Sequence, residues 1–362
     1  MIVTPAGDNL TPLWGMTSRE RLRRIAKAQG HELGESGPLL ANLGYVWDPG
    51  WLRFIAGKSD QVVTFGGVPV LASVEDSGER ERIAAAMAAG RPYQGALVTL
   101  AWEESEGLTN DELRKRERPF MDRLEPGTVR GLERASYFGA YKGVTDLLTK
   151  YLWPEWALVL TRWAARVGMT PNQVTLIGAL LCAAATAAFY YGWYWTGLAL
   201  GLGFMVLDTV DGKLARCTIT SSWWGNVFDH GLDLVHPPFW WWAWGVGLGA
   251  YGRPLEPSVL WTVLAVIVGG YVVQRLIEGA FIGLFKMHIH VWRRFDSWFR
   301  LITARRNPNM VILLAFLIVG RPDWGLIGVA AWTLASLVVH LVQLAQAMAA
   351  RTRGRTITSW LA

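Results

Sequence analysis

The sequence predicts a bundle of six transmembrane α-helices preceded by a soluble, Rossmann-like α/β domain. Three observations predict it. The chain has 362 residues, enough for two domains. It is 52% hydrophobic with 21 tryptophans, and its mean hydropathy of +0.22 is high for a soluble protein; the apolar excess lies after residue 150. Before residue 125, short β-rich runs alternate with helical ones.

Within residues 1–125, Gln61–Phe65, Val68–Val74 and Ala96–Trp102 read as strands, and Ser18–Gln29 and Gly78–Ala89 as helices. Gly66-Gly67, Gly90 and Pro92 supply turns, and the alternation predicts a three-layer sandwich. Leu113–Arg118 is a basic stretch, either a solvated helix face or a contact for acidic headgroups. Residues 126–169 read as a linker with a juxtamembrane helix. There, Tyr141–Val167 interleaves Trp153, Trp156 and Trp163 with Lys150, Arg162 and Arg166, a pattern that lies in an interface more readily than it spans. Residues 170–350 hold six apolar spans, at 171–192, 194–216, 222–249, 257–285, 307–320 and 324–348. The fifth is short and is expected to begin earlier as a broken or tilted helix. Residues 351–362 form a basic tail. No internal repeat or low-complexity stretch is evident.

The net charge is +6, but the arginines sit beside apolar spans, which points to cytoplasmic loops and anionic lipid rather than nucleic acid. The connection 286–306 carries Lys286, Arg293, Arg294, Arg300, Arg305 and Arg306, and the tail Arg351, Arg353 and Arg355. On the opposite side, 250–256 has only Arg253 and 320–324 only Arg321 as basic residues. The bias places both termini in the cytoplasm. Met1–Asn9 lacks the basic and apolar regions of a cleavable signal, so the first domain is expected to stay there. Trp240, Trp241, Trp242 and Trp244, near the outer end of the third span, read as an aromatic belt. Cys182 and Cys217 offer neither a disulfide framework nor a metal motif.

The most specific feature is Asp208, Asp211, Gly212, Ala215, Arg216, Gly225, Asp229 and Asp233, spaced D-x2-D-G-x2-A-R-x8-G-x3-D-x3-D. Eight fixed residue types, each at roughly 7%, coincide by chance at roughly one site in 10⁹. Asp208 and Asp211 are one helical turn apart, as are Asp229 and Asp233, so each pair shares a helix face. The short turn Cys217–Ser221 makes the two spans antiparallel and brings both pairs to the cytoplasmic end. Four carboxylates there repel unless neutralised, and two hard divalent cations would balance them. His230 and His236 flank Asp233 without forming a zinc motif. Carboxylate-held cations suit phosphoryl chemistry. Gly212 and Gly225 leave room for a ligand against the backbone, and Arg216 presents a fork suited to a diphosphate. Ser222 opens the third span, as a ligand contact or a simple N-cap. A divalent-cation transporter is the rival reading, since intramembrane aspartates also line ion paths. An ion path has no need of Arg216. A non-catalytic scaffold is a third reading, disfavoured by the intact aspartate set.

With every fixed position present, this string resembles the signature of the CDP-alcohol phosphotransferase (phosphatidyltransferase) family. The resemblance is tight over residues 170–235 and extends by span count over most of 140–350. It implies displacement of CMP from a CDP-alcohol by the hydroxyl of a second alcohol, with Mg²⁺ or Mn²⁺ as two bound cations. It further implies Asp208, Asp211 and Asp229 as metal ligands, with Asp233 accepting the acceptor's proton and also touching a metal. Gly212, Ala215, Arg216, Ser222 and Gly225 match positions on the CDP side. Pro171, Asn172, Gln173 and Val174, completed by Thr175, resemble the family's P-N-x-V/I-T element for cytidine. Read without the family, Pro171 is a helix N1 proline after Thr170 as N-cap, and both readings can hold together. The implied donor is CDP-diacylglycerol, or alternatively a soluble CDP-polyol such as CDP-inositol, and the implied assembly is a homodimer in the bilayer. The first domain resembles the nucleotidyltransferase-like, cytidylyltransferase-type domain fused to some family members. Its Pro5–Leu13 start lacks the repeated phosphate-binding glycines, so it is expected to be inactive. On the acceptor side, Arg275 either pairs internally with Glu278 or meets substrate. With Arg305 and Arg306 it forms a candidate site for a phosphorylated polyol, an inositol phosphate or glycerol phosphate.

Overall fold

The structure, a computed structural model, describes residues 1–106, 108–110 and 113–362. The N-terminal region runs β1 (Ile2–Ala6), α1 (Ser18–Ala28), β2 (Glu32–Leu33), β3 (Leu39–Asn42), β4 (Tyr45–Trp47), α2 (Gly50–Ala56), β5 (Gln61–Phe65), β6 (Val68–Ser73), α3 (Ser77–Ala89), β7 (Val98–Ala101), β8 (Leu108–Asn110), β9 (Lys115–Glu117) and β10 (Met121–Arg123). Six strands form one sheet in the order β2-β1-β3-β6-β5-β7. β6 runs against both neighbours while the other pairs are parallel. The reversal follows from the two-residue Gly66-Gly67 turn, whose φ values of +56° and +79° glycine adopts without strain. An α/β sheet region is therefore present, with strands at 61–65, 68–73 and 98–101 and helices at 18–28 and 77–89. Leu113–Arg118 is not a helix face: Lys115–Glu117 pairs antiparallel with Leu108–Asn110, and Arg114 sits in the turn at φ +52°.

The helical region follows as α4 (Val129–Gly139), α5 (Leu147–Tyr151), α6 (Pro154–Arg166), α7 (Pro171–Tyr190), α8 (Tyr194–Cys217), α9 (Trp223–Tyr251), α10 (Pro257–Phe285), α11 (Arg294–Phe299), α12 (Arg306–Ile318) and α13 (Pro322–Thr352). Among the described residues, α7, α10 and α13 are long and apolar enough to cross a membrane. α8 and α9 have the length, 24 and 29 residues, but carry the aspartates, glycines and aromatic residues that lower their hydropathy. α12 has 13 residues, and the separate α11 precedes it. Leu180, Leu276 and Val338 face outward, a surface that water would penalise.

Residues 126–169 are more than a linker. One apolar core runs from Leu13 and Trp14 through Leu132, Tyr137 and Trp153 into the bundle. Tyr141–Val167 is not one amphipathic helix, because α5 and α6 are broken at Trp153-Pro154. Trp153 turns fully inward and donates its indole N–H to Thr209 Oγ1 at 3.0 Å. On α6, Trp156 and Trp163 remain exposed, as an interface-lying helix requires.

The expected aromatic belt is also corrected. Trp240, Trp241 and Trp244 are buried, and only Trp242 of the four is exposed. Trp244 stacks on Tyr194 at 4.2 Å between ring centres and donates to the Pro322 carbonyl at 3.1 Å. Trp240 packs edge-on to Phe189 and Phe204. A helix rich in aromatics on several faces gives no periodic signal of which face turns inward, so burial was decided by α7 and α8 closing over it.

That closure needs Gly247. A Cβ there would lie 1.9 Å from the Phe189 carbonyl oxygen, whereas one at Gly249 would meet nothing within 4 Å. Gly247→Ala is expected to cost about 1–3 kcal/mol, read as a lower melting temperature in detergent. Gly249→Ala should stay within about 0.5 kcal/mol of the parent. Equal effects at both positions would contradict this packing.

Candidate active site

Three helix ends build the site. α7 starts at a capping box, with Gln173 N donating to Thr170 Oγ1 and Thr170 N to Gln173 Oε1, and Pro171 in its first turn. α9 starts at Ser222, whose Oγ accepts from Gly225 N at 3.1 Å. α8 ends at Cys217, and the turn beyond it is gripped by the N-terminal domain. There Arg24 donates to the Thr218 carbonyl at 2.8 Å, and Ile219, at φ +54°, packs against that domain's core. A β-branched residue in this region is strained. Burial of its side chain offsets the strain and fixes the turn.

α7 packs along both α8 and α9. Phe204 of α8 meets His236 and Trp240 of α9 with ring centres 4.9 and 5.8 Å apart. One turn beyond this aromatic contact, a cavity of about 430 Å³ opens between the charged ends of the helices. Pro237 and Pro238 interrupt the α9 ladder here, and the Tyr271 hydroxyl donates to the Leu234 carbonyl at 3.0 Å, a group that Pro238 cannot serve.

Carboxylate oxygens of Asp208, Asp229 and Asp233 lie within 4.8 Å of one another. Asp211 is more deeply buried and stands apart from this trio. Its carboxylate accepts from Thr175 Oγ1 at 2.6 Å, tying the start of α7 to α8. Arg306 bridges the trio, with Nη2 2.8 Å from Asp208 and Nη1 2.6 Å from Asp233. A guanidinium seated between these carboxylates shows that the donor set accommodates positive charge. All-oxygen ligands suit hard divalent ions.

The expected nucleotide residues fall into two groups. Gly212, Ala215 and Arg216 line the cavity beside Asp208, and Arg216 Nε is buried without a partner. Asn172, Ser222 and Gly225 gather next to it: a Cβ on Gly225 would come within 3.0 Å of both Asn172 Oδ1 and Ser222 Oγ. Val174 is buried in the α7 packing.

The opposite wall is basic. Glu278 receives Arg275 at 2.7 Å and Arg305 at 2.5 Å, with His290 Nε2 at 3.3 Å. The internal Arg275–Glu278 pair therefore forms, and both members line the cavity. Asp146 accepts from Asn307 Nδ2 at 3.0 Å and caps α5 through Thr149 N. Burial pushes Asp146 up, but Arg300 and these hydrogen bonds outweigh it and hold the carboxyl below its usual range. Lys142 is pushed down to about 8 by burial and by repulsion from Arg114 and Arg216. Sequence reasoning missed Arg114, Lys142 and Asp146 as site residues and read Arg300 only as a topological charge. They sit in turns and connections, where no spacing signals convergence.

The family model described as CDP-alcohol phosphatidyltransferase matches residues 168–282, the segment that carries all four aspartates. This segment is a CDP-alcohol phosphatidyltransferase domain. Cholinephosphotransferase 1 of Gallus gallus is 36% identical over 131 residues, covering 32% of this chain and 36% of the relative. Its Homo sapiens counterpart is 34% identical over 133 residues, 34% of this chain and 32% of the relative. A phosphatidylinositol phosphate synthase of Cutibacterium acnes is 35% identical over 114 residues, 30% of this chain and 53% of that protein. The chain thus spans about a third of the cholinephosphotransferases and about half of the synthase. With its apolar helices, the CDP-alcohol phosphatidyltransferase domain makes this an integral membrane protein.

Because Arg306 neutralises the carboxylates from which a divalent ion would be bound, the two compete. Asp229→Asn should weaken Mn²⁺ binding at least about a hundredfold, while Arg306→Gln should tighten it about tenfold, a change of ~1.4 kcal/mol. Calorimetric titration of the purified protein with Mn²⁺ checks both. Weaker Mn²⁺ binding by Arg306→Gln would contradict the competition.

Proposed function

We propose that the domain transfers the phosphatidyl group of CDP-diacylglycerol to the hydroxyl of a phosphorylated polyol, releasing CMP, as a step of phospholipid synthesis. The observation that carries this reading is the division of one cavity into a carboxylate end and an arginine end. Two Mg²⁺ or Mn²⁺ ions, held by Asp208, Asp211, Asp229 and Asp233, would offset charge on the donor diphosphate.

This chain's own groups supply the rest. Arg216 offers a free N–H to the diphosphate, and Gly212 leaves the approach open. Pro171 to Thr175, with Ala215, Ser222 and Gly225, hold the cytidine side. The acceptor oxygen forms a bond to the β-phosphorus of the donor, on the lipid side. The bond from that phosphorus to the bridging oxygen breaks, and CMP leaves with the electron pair. The acceptor's proton passes to Asp233, the most exposed member of the trio and so the one an incoming hydroxyl reaches. Placement carries this role, since cations beside a carboxylate lower its basicity. Arg275, Arg305 and Arg306 face the acceptor, Arg306 turning from the carboxylates once cations occupy them.

The exposed Trp223 and Trp224, between the cavity-lining Ser221 and Asn226, favour a lipid donor, whose acyl chains remain in the bilayer. All six of α7–α10, α12 and α13 are assigned as spans, with both termini and the site facing the cytoplasm, and the assembly as a homodimer. The cholinephosphotransferase relatives favour a second reading, the same chemistry with a soluble CDP-alcohol donor such as CDP-inositol. Cation transport is disfavoured because arginines line the cavity. The N-terminal domain acts as a scaffold. Its Leu13-Trp14 segment, the end of the degenerate loop, is spent on docking, with Trp14 Nε1 donating to Ser136 Oγ at 2.8 Å.

Turnover of labelled CDP-diacylglycerol by the purified chain tests the assignment. Asp233→Asn should lower kcat by about 10²–10⁴ with CDP-alcohol affinity within about twofold of the parent. Retained turnover would remove Asp233 from the proton-accepting role.

A further inference from the structure

Part of the cavity wall comes from outside residues 168–282. Arg114, in the β8–β9 turn of the N-terminal domain, lines the same cavity as Asp208 and Arg305. Leu113 and Arg114 are held in place by the segment before α5. Gly143 N donates to the Leu113 carbonyl at 2.8 Å, and a Cβ on Gly143 would lie 2.6 Å from the Arg114 carbonyl oxygen. The two backbones thus meet at a spacing that only glycine permits, so Arg114 is positioned by packing.

Its surroundings are electrostatically incomplete. Around this end of the cavity, among the described residues, the guanidiniums of Arg114, Arg275, Arg300 and Arg305 face the carboxylates of Glu278 and Asp146. Two of these guanidinium charges are left over, and Lys142 lines the same cavity as a further positive group. Glu278 is already engaged by Arg275 and Arg305, and Asp146 by Asn307 and Thr149. Arg114 Nε, Arg300 Nε and Arg300 Nη1 are buried and donate to nothing. Burial and repulsion by Arg305 pull Arg114 down to about 10, so it stays charged at neutral pH. Charged N–H groups shielded from water without a partner are costly unless a ligand anion completes them. Glu278, His290 and His340 also converge, but Arg305 already fills that carboxylate and the local excess of positive charge disfavours a metal ion.

We propose that Arg114 is a specificity-determining residue: with Arg300 it forms a subsite for the phosphate monoester of the acceptor, so the N-terminal domain supplies part of the acceptor site. A phosphate monoester carries about −1.5 to −2 at neutral pH, matching the charge of the two guanidiniums left over, and its oxygens accept the idle N–H groups. The inference rests on the acceptor reading above and adds a residue that the transferase segment does not contain.

Equilibrium dialysis of labelled inorganic phosphate against the purified full chain, in chelator, tests it. Arg114→Gln should weaken phosphate binding about tenfold or more, with Mg²⁺-dependent CDP binding within about twofold of the parent. Arg114→Lys keeps the charge but loses the fork, and should fall several-fold short of the parent. Parental phosphate affinity in either folded variant overturns the proposal while leaving the acceptor reading standing. Absence of phosphate binding by the parent overturns both. If Arg114→Gln loses CDP binding as well, Arg114→Lys alone decides.

Discussion

Charge buried beside lipid governs this molecule. Taking a carboxylate or guanidinium out of water costs several kcal/mol unless a partner is fixed nearby, and here the partners are sorted by sign. Asp208, Asp229 and Asp233 gather at one end of the cavity, and Arg114, Arg275, Arg300 and Arg305 at the other. The adjacent residues Arg305 and Arg306 join the ends, one reaching Glu278 and the other reaching Asp208 and Asp233. Neither end is neutral by itself. A substrate pair that brings cations to one end and a phosphate to the other would complete both, and that is the physical case for a two-substrate phosphotransfer site.

The scaffold serves this separation. The contact of Phe204 with His236 and Trp240 spaces α8 from α9, so their charged turns stand apart around the cavity. Pro237-Pro238 removes two backbone donors from α9 just beyond Asp233. The N-terminal domain reaches the site twice, through Arg24 and Ile219 at the turn after α8 and through Arg114 at the basic wall. With Leu13 and Trp14 sharing the bundle's core, the N-terminal domain is built into the transferase rather than tethered to it.

Much of the site was legible because helix period and spacing are local. Asp208, Asp211, Asp229 and Asp233 announce paired faces, Thr170-Pro171 and Gln173 announce a helix start, and Val68–Val74 reads as a strand from its composition. What stayed hidden depends on contacts between distant segments. Arg114 and Lys142 belong to turns, and nothing in their local sequence says that they share a cavity with Glu278 and Arg305. The four tryptophans of α9 were misread because their density suits either a lipid interface or a core, and only the helices closing over them decide. Tyr141–Val167 was misread as one helix because periodicity carried across the Trp153-Pro154 break. Leu113–Arg118 was misread because three paired residues are too few to show a strand's alternation.

In the proposed reaction a cation-loaded carboxylate end and a phosphate-loaded arginine end act on one pair of substrates. CMP release from labelled CDP-diacylglycerol, by the purified full chain offered polyols or their phosphate esters in Mg²⁺ or chelator, tests it most directly. Release is expected to require both the cation and a phosphorylated acceptor. Release in chelator, or with plain polyols alone, would contradict it.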